Sequence, residues 1–539
     1  MGIDCTMKIK WLKTNIPIIN NCNNFCKKYS TNEMVEDFKN TINKYFIEYG
    51  NYNMSRDYFV ANSKTKGRYK TVFKTFGELK KAAEFNLEIQ TKNMISENET
   101  KGKKYIISSI VAGSKVNKNF LNALLRFCMF NKAQLILAPI KGVNKETTFD
   151  REIIENFGKY FATDYTFNSN LKLVNIFATA NTNNPLHRIK EFCNKKNSII
   201  LGSCKQRMEI IPSLKKDKTH IAYTTGTVSE PEFKQNINGI LNDESKKTGA
   251  LVVEIIDDKF FNIRNVEWID DSFVDLNRRY FYDRIEKTQA EAIVAGDLHI
   301  SGDEDNIALG ALKEQIKFLG AKKIIVHDIA SHNSINHHEK NNLVCSSLNV
   351  ISLEEEHKYI SNWLNNWVKD LKDVEIISVE SNHNEWLKQY LSDRNTWIYD
   401  RMNTHYANSL FGELLDKKDP LEIAIRKNLD LNVKIKFLKR TDTYKIGGYE
   451  LSMHGDKCSG IGKATLKQLK NSVGNLVCGH SHSPKIYDGS YQVGTNTKIP
   501  LNYAEGTANN WIHANCSVYN TGHAQMLMSF NGKWRLKNI

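Results

Sequence analysis

Proline is scarce in this chain, at 8 residues in 539, and no apolar run approaches the length of a bilayer span. No membrane helix is therefore expected. Residues 1–13 mix apolar and charged side chains without a signal-peptide core or cleavage site, so a cytoplasmic protein is expected. Cysteine pairing is missing too. Ten cysteines are scattered, Cys22 and Cys26 are the only close pair, and no second pair or nearby histidine completes a zinc site. Reduced thiols in a reducing compartment are the expectation. Residues 105–290 carry no phosphate loop, dinucleotide fingerprint or nucleophile elbow.

What is present reads as globular. A 41% hydrophobic fraction with 25% charged residues is ordinary, and the length suggests two to four domains. The net charge of +15 suits a polyanionic partner. Part of that surplus is also what a Lys-, Asn- and Ile-rich, A/T-biased coding sequence produces. The distribution says more: residues 1–104 hold 19 Lys/Arg against 11 Asp/Glu.

In that basic segment Thr31 can cap a helix starting near Glu33, and Met34, Phe38, Ile42, Tyr45, Phe46 and Tyr49 recur at helical spacing. Ser55 can cap a second helix, Arg56 to Asn62, followed by the basic turn Lys64-Thr65-Lys66-Gly67. Helical patterns resume at Arg68–Phe73 and Glu78–Phe85, the outline of a helix-turn-helix module. Residues 55–85, with Phe76, Gly77, Ala82 and Ala83, resemble the small repeats found beside homing endonucleases. That resemblance implies DNA contact through Lys64, Lys66, Arg68 and Lys70; the other reading is a solvated charged face on a small structural domain. A polar stretch at 93–104 reads as a linker. Beyond it, strand patterns at Tyr105–Val111, Leu135–Ala138, Ser198–Leu201 and Leu251–Ile256 alternate with helical ones at Phe120–Phe130 and Ile153–Phe161. A scaffold or substrate-positioning role is expected there.

Thirteen of the fifteen histidines lie beyond residue 290. Their placement follows strands. Ala292–Ala295 runs into Asp297 and His299, Lys323–Val326 into His327-Asp328, and Val374–Val379 into Asn382-His383. Leu451–Met453 runs into His454-Gly455-Asp456, and Leu476–Cys478 into Gly479-His480-Ser481-His482. Open α/β sheets build their sites at that strand edge. Carboxylate and amide oxygens mixed with imidazoles suit Mn²⁺, Fe or Zn²⁺ rather than a thiolate-bound metal. A carboxylate that bridges two ions allows a pair that clamps a phosphate.

The order Asp-x-His, Asp, Asn-His, His, Gly-His-x-His resembles the calcineurin-like metallophosphoesterases, and it runs from Asp297 to His482. The resemblance implies a two-sheet α/β sandwich over 291–539; the patterns ahead of it read as an α/β domain over 101–290 and a helical, helix-turn-helix-like domain over 1–100, an α/β fold class for the whole. It implies two divalent metal ions, Mn²⁺ first, with Fe, Zn²⁺ or Mg²⁺ as alternatives. Asp297, His299 and His482 would hold one ion, Asn382, His454 and His480 the other, and Asp328 would bridge them. His383 would protonate the leaving oxygen or steady the phosphate. The pattern departs at His327 and Ser381, where the family has glycine, and at Asn384, which displaces the usual acid to Glu385. His332, His337 and His338 follow the bridging aspartate and would line a substrate channel or lie on a polar loop; His513 is a further candidate, and His357, His405 and His523 read as structural or surface residues.

The blocks GDLH, HD with a following HHE, SNHNEW and GHSHSP, behind a long N-terminal extension, resemble the pre-early proteins of T-five-like phages that degrade host DNA. That implies a nuclease made early in infection and acting on DNA in the bacterial cytoplasm; a homo-oligomer is what the resemblance to metallophosphoesterase nucleases implies. Two other functions fit the motifs: a phosphatase or phosphodiesterase on nucleotides or phosphoproteins, and a non-catalytic DNA-binding protein.

Overall fold

The computed structural model describes residues 102–174, 178–187, 189, 197–212, 220–336, 351–371, 373–458, 464–501, 508 and 510–537, with residues 30, 33–35, 37, 38, 40, 41 and 55–65 nearer the N-terminus. It is a mixed α/β structure. In a six-stranded sheet, Ile435–Leu438, Glu375–Val379, Lys323–Val326 and Ala292–Val294 run parallel, and the antiparallel strands His513–Val518 and Ala524–Ser529 complete it.

Side-chain alternation makes this sheet two-faced. Val294, Ile325, Ile377 and Val379 enter one core, while Ile293, Ile324, Val326 and Ile376 enter another. The second core is covered by the crossover helices Asn306–Leu319, Leu353–Lys369, Asn382–Ser392, Thr404–Leu415 and Pro420–Arg426. Their ends are written locally. Asp305 accepts from Ile307 N and Ala308 N, and Ser352 with Glu355 forms a capping box.

The first core is shared. An eight-stranded sheet takes Tyr165–Asn168, Leu171–Leu173, Ser198–Leu201, Arg207–Ile211 and His220–Thr224 from before residue 290, and Val477–Cys478, Lys485–Tyr487 and Ser490–Gln492 from after it. The two groups join where Ile486 pairs with Met208 and Tyr487 with Arg207. A four-stranded sheet of Lys104–Val111, Gln134–Ile140, Gly249–Ile255 and Phe261–Glu267 adds Tyr105, Ile107, Leu251 and Val253 to the same core. Residue 290 thus marks where the strands leading into the Asp and His candidates begin, and the sheet and core continue across it. Arg207 pins the join through a buried bidentate pair to Asp488, Nε to Oδ1 at 3.0 Å and Nη2 to Oδ2 at 2.6 Å. Removing one partner of such a pair costs about 3–5 kcal/mol.

Some local expectations shift. At the first N-terminal helix Ser30 Oγ accepts from Glu33 N at 3.2 Å, and Thr31 lies outside the described residues. Leu451–Met453 is not a strand; the short strand Tyr449–Glu450 ends before it, and Glu450 Oε1 accepts from the backbone N–H of Leu451 and Ser452. The helical stretch near Ile153 closes at Phe157 in the helix Arg151–Phe157 and tightens into a single 3-10 turn. The Ser55-capped helix Arg56–Asn62 is present, and Asp37 accepts from Lys64 N and Thr65 N at 2.9 and 2.7 Å, which holds the start of the basic turn. Lys66, Arg68, Lys70 and the rest of that module lie outside the described residues, as do Cys22 and Cys26. The five described cysteines, Cys128, Cys204, Cys458, Cys478 and Cys516, are free thiols. Among the described residues no helix is long and apolar enough to cross a membrane.

Candidate metal centre

The parallel strands deliver their following residues to one edge. There the backbone turns sharply: His299, Asp328, His332, His480 and His482 have φ between 46° and 79°. Non-glycine residues in the left-handed region cost about 1–3 kcal/mol each and gather where geometry has a use. The close approach needs glycines as well. A Cβ on Gly479 would collide with the Asp297 carboxylate, and one on Gly296 would lie 2.8 Å from Gly494 and Thr495 backbone atoms.

Asp297, His299, Asp328 and His482 bring one donor atom each within 4.8 Å of one another, and all four are buried. His299 Nε2 lies 3.0 Å from His482 Nε2 and 3.4 Å from Asp328 Oδ2, and His482 Nε2 lies 3.2 Å from Asp297 Oδ2. On the other flank His454 Nε2 is 3.3 Å from Asp328 Oδ2 and 3.1 Å from Asn382 Oδ1. His480 joins that flank with its ring centroid 5.1 Å from that of His454, and its backbone N donates to Asp297 Oδ2 at 2.9 Å. Asp328 therefore stands between two sets of donors.

Burial dominates the electrostatics. It pushes the Asp297 carboxyl up to about 7, against the His480 N–H that favours the anion, and pushes Asp328 up to about 6. It drives His299 and His454 well below the usual imidazole range and His482 down to about 4. The imidazoles are thus neutral, with lone pairs to give. Asp328 Oδ1 is buried without a hydrogen-bond partner, a costly state for a carboxylate oxygen. Carboxylate oxygens and neutral imidazole nitrogens converging this closely fit a divalent cation, and this buried Asp/His cluster can hold a metal ion.

His383 sits beside the cluster, its ring centroid 4.7 Å from that of His299 and 4.0 Å from that of Trp386. Ser381 caps the helix Asn382–Ser392 and so sets Asn382 and His383 on its first turn. His383 Nδ1 donates to Ser331 O at 2.8 Å, which fixes the tautomer and leaves Nε2 as the free nitrogen. His332, expected along a channel, is instead wholly buried. Its Nδ1 donates to His383 O at 2.7 Å, and its Nε2 meets His357 Nε2 at 3.2 Å. His357 Nδ1 in turn lies 3.0 Å from Tyr406 Oη. This chain holds the His383 backbone from below. His337 and His338 lie outside the described residues.

Several contributors were not legible in the motifs. His327 stands where a glycine was expected, and its Nδ1 faces His454 Nδ1 at 3.5 Å; burial lowers it to about 3. Arg440 grips Asp456 with Nη1 at 2.6 Å and Nη2 at 2.7 Å and reaches Glu385 Oε1 with Nε at 3.1 Å, tying the His454 turn to the His383 helix. The HGD block showed Asp456 but not its partner. Trp511 packs edge-on against His482 at 4.5 Å between centroids. His513 is buried at the sheet edge with Nε2 2.8 Å from Thr497 O, and His523 is a buried structural residue beside Thr521 and Ser272. His405 is exposed.

No family model matches the chain. Over 479 residues it is 26% identical to Protein A1 of Escherichia phage T5, an alignment that covers 80% of this chain and 83% of that protein.

Proposed function

We propose that this protein is a metal-dependent deoxyribonuclease with a calcineurin-like metallophosphoesterase site, carried on a two-sheet sandwich, and that it degrades host DNA early in phage infection. The observation that carries the reading is the convergence of Asp297, His299, Asp328 and His482 within 4.8 Å, with His454 and Asn382 on the far side of Asp328. The choice of DNA is supported by the +15 charge, the basic N-terminal segment and the similarity to a phage protein.

Two divalent ions bound there, Mn²⁺ first among the candidates, would clamp the phosphate, lower the pKa of a bound water and stabilise the charge of in-line displacement. The protein's own groups supply the rest. Asp297, His299 and His482 would hold one ion and Asn382, His454 and His480 the other, with Asp328 placed to serve both. His383, with Nδ1–H committed to Ser331 O, presents Nε2 to hand a proton to the departing oxygen. Buried walls keep the imidazoles neutral and the carboxylates available to a cation. Lys64, Lys66, Arg68 and Lys70 add sequence-independent phosphate contacts, and the active form is a homo-oligomer in the host cytoplasm.

Plasmid and linear DNA, incubated with the full chain in Mn²⁺, Mg²⁺ or EDTA, test this. Metal-dependent degradation should be abolished in Asp328→Ala, and in His383→Ala it should fall by about 10²–10⁴ with metal still bound. Intact DNA under every metal, with turnover of p-nitrophenyl phosphate, would sink the nuclease reading in favour of a phosphatase.

A further inference from the structure

A cavity of about 300 Å³ is lined by residues of both the segment before residue 290 and the segment after it, among them neighbours of His482. Lys259 and Phe260 line it from the first; Asp305, Ile307, Trp511 and Phe530 line it from the second. Two contacts tie it to the proposed metal ligands. Trp511 is both a cavity wall and the ring packed 4.5 Å from His482. Its neighbour Ile512, also in the wall, donates its backbone N–H to His482 O at 3.3 Å.

The volume is at the low end for ligand sites, which run from about 300 Å³ upward. Aromatic walls offer flat faces on which any base can stack. Asp305 spends Oδ1 on its helix cap, while Oδ2 faces His513 Nε2 at 3.8 Å, too far for a hydrogen bond. That leaves an acceptor in the wall for a base amine. Lys259 is exposed on the same cavity and supplies a cation for the phosphate chain.

We infer that this cavity is a nucleobase pocket, which receives the base of a nucleotide adjoining the phosphate held at the metal cluster. The inference rests on the deoxyribonuclease reading and deepens it: the α/β segment before residue 290, which has no catalytic motif of its own, positions the substrate. A base hangs one sugar away from its phosphate, and Trp511 both lines the cavity and packs against His482. Stacking tolerates every base, so the pocket would order the strand without selecting sequence.

The test uses the full chain and Ile307→Trp, which narrows the cavity from its exposed side. The ratio of kcat/KM for a Mn²⁺-supported oligonucleotide cleavage to that for bis(p-nitrophenyl) phosphate should fall about tenfold in the variant. Abasic sites scanned beside the cleaved bond should produce a similar loss in the parent and little further loss in Ile307→Trp. An unchanged ratio, or indifference of the parent to abasic sites at every position, would overturn the pocket. Should the parent hydrolyse bis(p-nitrophenyl) phosphate but not DNA, the deoxyribonuclease reading fails by itself. Saturation-transfer NMR with thymidine 5′-monophosphate then decides the pocket: transfer to the base protons that Ile307→Trp removes upholds it, and no transfer overturns it.

Discussion

On one flank of Asp328, Asp297, His299 and His482 crowd together within 4.8 Å, and burial holds the Asp297 carboxyl up at about 7. On the other flank Asn382 and His454 approach with neutral donors, backed by His327 and braced by the Arg440–Asp456 pair. The first flank adds a second buried carboxyl, whose ionised form a cation would stabilise. The second has little charge and depends on neighbours to aim its donors. In the two-metal proposal the same chemistry would be reached by electrostatics on one side and by positioning on the other.

Substitutions can break or sharpen this contrast. The largest effect is expected from Asp328→Ala, which serves both flanks: DNA degradation should fall by on the order of 10³-fold or more, with bound metal lost on both sides. Plasmid assays paired with metal analysis by mass spectrometry would check it, and retention of full metal content would refute the shared role. Next, Asp297→Asn should weaken metal binding by more than about a hundredfold, whereas Asn382→Ala, which removes no charge, should cost less than that. Titration calorimetry with Mn²⁺ would show the two in the opposite order if the contrast is wrong.

Smaller again is His327→Phe. Loss of an outer partner typically costs about 10–100-fold in affinity, and here the loss should be confined to the His454 flank, leaving the first binding event intact. The smallest effect is in pH. Asp297 and Asp328, raised to about 7 and about 6, must release protons to bind a cation, so affinity should drop as pH falls through that range. With one proton displaced the slope is about tenfold per pH unit. The imidazoles do not compete there, since burial has already lowered His299, His454 and His482. A flat Mn²⁺ affinity between pH 6 and 7 would contradict the role given to the carboxylates.

Much of the site could be read along the chain because its signals are local. Apolar runs such as Lys323–Val326 and Ser198–Leu201 became strands with the same bounds, and Asp297, Asp328, Asn382 and His480 follow strands as their spacing indicated. His332 misled because a polar, histidine-rich stretch resembles an exposed loop; burial and a left-handed turn place it under His383 instead. His357 reads as an isolated helical histidine until Tyr406 and His332 are seen on either side of it. Leu451–Met453 looks like a strand by composition, but Glu450 Oε1 accepts from Leu451 N and Ser452 N there, and Leu451 N also reaches Tyr444 O.

What the sequence determined by itself was the donor chemistry and its order: which oxygens and imidazoles, and that each follows an apolar strand or its extension. Capping at Ser55 and Ser381, and the two-faced alternation of the sheet strands, belong to the same class of local information. Only the tertiary structure decided that Arg207 meets Asp488 across 281 residues, that one sheet spans both segments, and that Trp511 packs against His482 and lines a cavity walled from both. Residue spacing reports turns and faces a few positions apart, whereas the pairing of distant strands depends on which buried surfaces fit together, and no periodicity records that fit.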